Sequence, residues 1–189
     1  MIYLTQKQYT WGTMDFPKVT PRWLKKQRYQ IQPTSLCPTI RGVVLKELKV
    51  NLDGRGSLTE LWSEPWVKKE GFAYPKHIYQ SATDFGVVKC WHLHRVHTDQ
   101  LVVTRGKLQV TLIDIRSDSP TFGQVNPLFM GVEKPRLLKI PPGVLHGWKA
   151  LSRPEVLIFN FATEVYDPQD EYRFPWDCLL PEIWEPKNG

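Results

Sequence analysis

Four side chains of this chain have the types and spacing to do chemistry together: His92, His94, Asp99 and His146. His92 and His94 are one residue apart in GVVKCWHLH, and on a β-strand positions i and i+2 point to the same face, so their imidazoles project together. Asp99 opens the next apolar-alternating run, DQLVV, and the Pro-x-Gly turn of PPGVLHG leads His146 onto a further strand. Two imidazoles, a third from another strand and one carboxylate suit a divalent transition metal. The same set would serve equally as polar residues in a barrel mouth, bound to sugar or phosphate oxygens, with Asp99 an ordinary strand-edge carboxylate. His97 lies off the i, i+2 face and is expected at the surface.

Something must hold these groups, and the surrounding pattern is one of short strands. Sixteen prolines and twelve glycines punctuate the chain at close intervals, which favours strands over long helices. IRGVVLKELKV (Ile40 to Val50) reads as a strand, followed by the turn NLDGRG and then SLTELW. GVVKCWHLH is followed by DQLVVTRGKLQVTLIDIR, with a hairpin at Arg105-Gly106-Lys107, then by RLLKIPP and EVLIFNFATEVY. DQLVV and KLQVTLID alternate with period two, as half-buried strands do. Strands this frequent, without helical periods between them, predict an all-β sandwich or closed barrel from Ile40 to about Tyr166, with helix confined to short pieces. Residues 1–38 carry no clear period and read as an N-terminal arm, either a strap on a partner subunit or partly disordered. Residues 39–189 read as a single domain whose tail, from Asp167, wraps the barrel and holds one short helix.

Composition narrows the function classes. The chain is 41% hydrophobic with no run of about 20 apolar residues, so a membrane span is not expected. The N-terminus lacks a basic stretch followed by an apolar one, and Cys37, Cys90 and Cys178 are far apart and odd in number. Both features predict a cytoplasmic protein without a disulfide framework. The net charge is +6, but the 25 Lys and Arg are spread along the chain. The one dense cluster, RWLKKQR at Arg22 to Arg28, accompanies no nucleic-acid-binding motif. A modest basic excess suits a phosphorylated small substrate, and no nucleic-acid partner is expected.

The two histidine segments together resemble the paired motifs of the cupin superfamily, Gly-x5-His-x-His-x4-Glu-x6-Gly and Pro-x-Gly-x2-His, with Asp99 where Glu is usual and Ala150 where the second motif has a later Asn. That resemblance implies a double-stranded β-helix, or jelly-roll barrel. A second resemblance runs over roughly residues 40–180. Asp53, Arg55, Gly56, Leu58 and Glu60 match the Asp-x-Arg-Gly-x-Phe/Leu-x-Glu block of the dTDP-4-dehydrorhamnose 3,5-epimerase family. DIRSDSPTFGQV and IPPGVLHGWKALS are similar to two further blocks of that family.

This second resemblance implies a homodimer that binds a nucleotide-linked 4-keto-6-deoxy sugar, in a polysaccharide or deoxysugar pathway, with no cofactor required. Arg55 and Glu60 become candidate nucleotide contacts reaching a neighbouring subunit's pocket. The family base falls on His92; the family Arg before it becomes Lys89, and the Gln after it becomes His94. The family's Gln-x-Asn block reads His77-Ile78-Tyr79. The acid Tyr falls on Asn160 or Phe159, the enolate-stabilising Lys on Asp99, and the Asp that orients the base is expected beyond WDCLLPEIWEP. Tyr79 and Tyr166 are the candidates for a relocated acid, and Lys89, His77, His146 and Asn160 for substrate binding. With these replacements, full 3,5-epimerisation is expected to be impaired. The alternatives are a metal-dependent cupin using His92, His94, Asp99 and His146, and a non-catalytic sugar-nucleotide-binding protein.

Overall fold

Along the strand Lys107–Asp114, Leu108, Val110 and Leu112 turn into one apolar cluster and Ile113 into another, the period-two division that a sheet covered on both faces requires. The computed structural model describes residues 19–32 and 38–186. In chain order the elements are α1 (Pro21–Leu24), β1 (Gln30–Ile31), β2 (Val44–Glu47), β3 (Val50–Asp53), β4 (Gly56–Thr59), α2 (Pro65–Glu70), β5 (His77–Asp84) and β6 (Val88–Leu93). They continue with β7 (Asp99–Arg105), β8 (Lys107–Asp114), β9 (Gln124–Gly131), β10 (Arg136–Ile140), β11 (Val144–Ala150), β12 (Glu155–Ala162) and β13 (Tyr172–Arg173). Two 3-10 turns follow, at Trp176–Cys178 and Pro181–Trp184, in place of the one short helix expected in the tail.

One sheet runs β1-β9-β8-β11-β6-β13 and the other β2-β10-β7-β12-β5, with β3 and β4 forming a separate hairpin. The pairing is antiparallel except where β1 joins β9. This is the expected jelly roll. Leu101, Leu112, Leu128, Leu138, Trp148 and Ile158 come from both sheets and fill the space between them. The hairpin at Gly106 is as expected, and its φ of +78° is the left-handed conformation that glycine adopts without strain.

The outer faces are covered too. Trp91, Leu93 and Leu145 of the six-stranded sheet pack under Leu24, Cys178, Ile183 and Trp184, so the tail does wrap the barrel. On the other sheet Val102, Leu137 and Phe161 pack under Leu48 and Phe72. Leu24 and the β1–β9 pairing tie the described part of the arm to its own barrel. Residues 1–18 and 33–37, which include Cys37 and the segment read for a secretory signal, lie outside the described residues.

The expected strand Ile40 to Val50 is divided. β2 pairs with β10 as far as Glu47↔Arg136. The residue just before β10 is Pro135, whose carbonyl accepts from the Leu48 N–H at 2.9 Å but which has no N–H to return. The ladder stops there, and the chain leaves the sheet to form the β3–β4 hairpin.

Candidate active site

At one end of the barrel the apolar filling gives way to a cavity of about 790 Å³, the size of a small-ligand site. β6 supplies Lys89, Cys90 and His92 to its wall, and His94 follows directly after it; β11 supplies His146 and Trp148. From the opposing sheet come His77, Tyr79 and Ser81 of β5, Asp99 of β7 and Asn160 of β12. The i, i+2 rule therefore brings His92 and His94 into one pocket, and the β11–β6 register sets His146 directly opposite His92.

Asp99 is the hub. Its side chain is 5% exposed, and its Oδ1 accepts from His97 Nε2 at 2.7 Å and from the Asn160 side-chain amide. Its Oδ2 lies 3.2 Å from His146 Nε2 and 3.5 Å from His94 Nε2. Burial alone would raise this carboxyl, but the hydrogen bonds from His146 and His97 and the neighbouring imidazole charges hold it well below the ordinary carboxylate range. Asp99 is thus a buried, fully hydrogen-bonded anion, not a strand-edge carboxylate.

His97 departs from the expectation of a surface residue. Its side chain is 12% exposed, stacks on His94 at 4.4 Å between ring centroids and is raised by Asp99 against the opposing effect of burial. The residues after β6 leave the strand, so the alternation used to place His97 outside no longer applies. Among the described residues the ligand atoms that gather within 4.8 Å of one another are those of His94, His97 and Asp99. A divalent cation would be held by that group, which differs from the set read in the sequence by including His97 and leaving out His92 and His146.

His92 stands apart from the Asp99 network. Its ring meets Trp148 at 5.4 Å and His146 at 5.8 Å, both edge-on, and no hydrogen bond reaches it among the described residues. Burial first, then the charges of His146, Arg173 and His94, hold it down to about 3, so the ring is a free imidazole. Across the cavity the Tyr79 phenol oxygen accepts from Asn160 Nδ2 at 2.8 Å. Burial and the Asp99 charge raise this phenol, which keeps its proton. Cys90 offers no competing nucleophile, because burial pushes its thiol up to about 12.

The remaining sequence candidates are distributed unevenly. Lys89 lines the cavity and donates to the Ala82 carbonyl at 2.7 Å; His77 packs on Tyr79 at 5.3 Å. Tyr166 lies on the rim, 66% exposed, with its hydroxyl on Glu171 at 3.3 Å. Arg55 and Glu60 are outside this chain's own cavity; Arg55 is exposed and paired with Asp53 at 2.6 Å in the β3–β4 hairpin.

Three tail residues escaped the sequence reading. Asp170 accepts the backbone N–H groups of Arg95, Val96 and His97 at 2.7 to 3.1 Å, and its carbonyl receives His94 Nδ1 at 3.1 Å. Glu171 and Arg173 also line the cavity. The only signal available was the charge-rich run DPQDEYR, which carries no periodicity.

A two-sheet jelly roll whose mouth gathers imidazoles, a carboxylate, a phenol and cations defines a cupin-type site for a polar small molecule. The sequence pattern of the dTDP-4-dehydrorhamnose 3,5-epimerase family matches residues 38–184, and the chain belongs to that family. It is 36% identical over 143 residues to the Haloferax volcanii protein named probable low-salt glycan biosynthesis epimerase Agl13, covering 74% of this chain and 90% of that one. It is 37% identical over 140 residues to the Bacillus subtilis spore coat polysaccharide biosynthesis protein SpsL, covering 73% and 91%. Among solved structures, the dTDP sugar isomerase of Desulfovibrio desulfuricans superimposes with a TM-score of 0.69 at 28% identity, covering 77% and 92%. The Legionella pneumophila 3,5-epimerase in complex with dTDP-4-keto-L-rhamnose does so with 0.69 at 26% identity, covering 79% and 80%. Family membership favours the sugar-nucleotide reading over the metal reading.

Proposed function

We propose that this chain acts on a nucleotide-linked 4-keto-6-deoxy sugar in polysaccharide or deoxysugar assembly, with His92 as the base and Tyr79 as the acid. Inverting a carbon beside a ketone requires a proton to leave one face of the ring and another to arrive on the opposite face. One observation carries the assignment: His92 projects from β6 in one sheet and Tyr79 from β5 in the other, and both line the same cavity.

The position of Tyr79 explains how a phenol returns to a site whose usual phenol position holds Asn160. Asn160 and Tyr79 are direct partners in the β12–β5 register. The phenol has moved to the neighbouring strand, and Asn160 orients it. Because Asn160 donates to the phenol oxygen, the Tyr79 proton is left to point elsewhere, toward a ligand. Tyr166, exposed and turned to Glu171, is the weaker candidate. Lys89 and His77 would meet the substrate, while His146, Asn160 and Asp99 order the wall behind it.

Arg55 and Glu60 fit this scheme through a second copy of the chain. The β3–β4 hairpin stands apart from both sheets, with Leu52 79% and Leu58 61% exposed. A lone two-stranded hairpin is marginal in water, so a homodimer in which it docks on a partner supports both the hairpin and the nucleotide contacts.

The test is incubation with dTDP-4-keto-6-deoxyglucose in deuterated water, following carbons 3 and 5 by NMR. Wild type incorporates deuterium at one or both, and His92→Asn slows incorporation by about 10²- to 10⁴-fold, the usual worth of a positioned base. Incorporation that survives His92→Asn at the wild-type rate contradicts the assignment.

A further inference from the structure

Removing a proton beside a ketone moves negative charge onto the carbonyl oxygen, and a buried site must meet that charge with a fixed donor or cation. Asp99, a buried anion in the same cavity, makes the demand larger. Two other basic side chains of the cavity spend their donors on the protein's own oxygens. His97 is held on Asp99 at 2.7 Å, and Lys89 donates to the Ala82 carbonyl at 2.7 Å and faces Ser81 Oγ at 3.4 Å.

Arg173 is placed differently. β13 adds to the edge of β6 with Arg173 directly opposite His92, and cross-strand partners send their side chains to the same face. The guanidinium therefore lines the cavity on the side of the base, at its solvent-facing mouth with its side chain 64% exposed, whereas Tyr172 turns to the apolar cluster outside the sheet. Its Nε and Nη2 donate to Glu171 Oε1 at 2.9 and 2.6 Å, and Nη1 makes no hydrogen bond among the described residues. The short strand is anchored on both sides: Trp91 and Phe174 exchange backbone hydrogen bonds at 2.8 and 2.9 Å, and Asp170 caps the loop after β6.

We propose that Arg173 stabilises the enolate formed when His92 deprotonates the bound keto sugar, the role of a fixed cation delivered by the tail. This rests on the reading of His92 as the base of a keto-sugar site. The same charge also acts on His92, whose surroundings are His146 on β11, Asp99 on β7, Arg173 on β13, Lys89 on its own strand and His94 just after that strand. Removing Arg173 makes His92 easier to protonate and the enolate harder to form. The second effect dominates, because the enolate charge forms against the guanidinium, whereas the depression of His92 is owed first to burial.

The experiment compares wild type, Arg173→Lys and Arg173→Gln in the deuterium-exchange assay with dTDP-4-keto-6-deoxyglucose. Dissociation constants for dTDP alone and NMR titration of the His92 ring accompany it. Arg173→Gln is expected to slow exchange by about 10²-fold or more, with Lys recovering most of the rate. Affinity for dTDP should change by less than about threefold, and His92 in the Gln variant should protonate at higher pH. Wild-type exchange in Arg173→Gln overturns the proposal and leaves the base assignment standing. A slower exchange matched by an equal loss of dTDP affinity also overturns it, making Arg173 a nucleotide contact. No exchange in the wild type overturns the reading of the site, and the proposal with it.

Discussion

Burial among His146, Arg173 and His94 holds the His92 imidazole down to about 3, so the folded protein keeps this ring neutral where the unfolded chain would protonate it. The consequence for stability has a definite sign. Between about 6.5, the ordinary imidazole value, and 3, the unfolded chain binds a proton at this position that the fold does not, so stability falls as pH is lowered through that window. His97, raised by Asp99, contributes in the opposite sense: its stabilisation is present at low pH and is lost as pH rises through its folded value. We expect denaturant titration to show wild type losing on the order of 1–2 kcal/mol more than His92→Gln between pH 7 and pH 5. Equal losses in the two proteins would contradict the description of His92. The low value also makes His92 a weak base in the free protein; a bound diphosphate and a developing enolate add the negative charge that favours its protonated form. At this scale much was legible, because His92, His94 and His146 are fixed by a strand period and a turn. His97 was not, since it sits four residues past Leu93, the last strand residue of its segment, where no period holds.

At the scale of elements, the site depends on how closely β11 lies against β6. A Cβ on Gly147 would meet Cys90 Cβ at 2.0 Å, Cys90 Cα at 2.9 Å and the Lys89 carbonyl oxygen at 3.0 Å. The register between the two strands shifts at this point, between His146 and Trp148. Glycine is therefore what allows the strand bearing His146 to approach the strand bearing His92. Gly147→Ala is expected to cost about 1–3 kcal/mol in denaturant titration, as overpacking does, and to displace the histidine signals in NMR spectra. A variant of wild-type stability with unmoved histidine resonances would contradict this packing. Strands with alternating sequences, such as β7 and β8, were readable, and so was the Gly106 turn. The split between β2 and β3 was not, because it is set by Pro135, just before a strand distant in sequence. β13 is two residues long and owes its place to Asp170 and Phe174, contacts that leave no trace in local periodicity.

For the whole molecule, the jelly roll supplies two walls, and the hairpin carrying Arg55 supplies a surface that its own barrel does not cover. Leu52→Asp combined with Leu58→Asp should convert a dimer into a monomer in sedimentation at micromolar concentration, while each barrel keeps its fold. A wild-type monomer, or a dimer unaffected by both changes, would contradict the docking of this hairpin. The division of labour between the walls is the central claim, and one ratio tests it: deuterium incorporated against product inverted, measured by NMR for Tyr79→Phe with dTDP-4-keto-6-deoxyglucose in deuterated water. Phe keeps the ring and loses only the proton donor. With His92 intact, incorporation should continue while inversion falls by about 10²- to 10⁴-fold, the worth of a general acid. Inversion at the wild-type rate in Tyr79→Phe would contradict the assignment of base and acid to opposite walls.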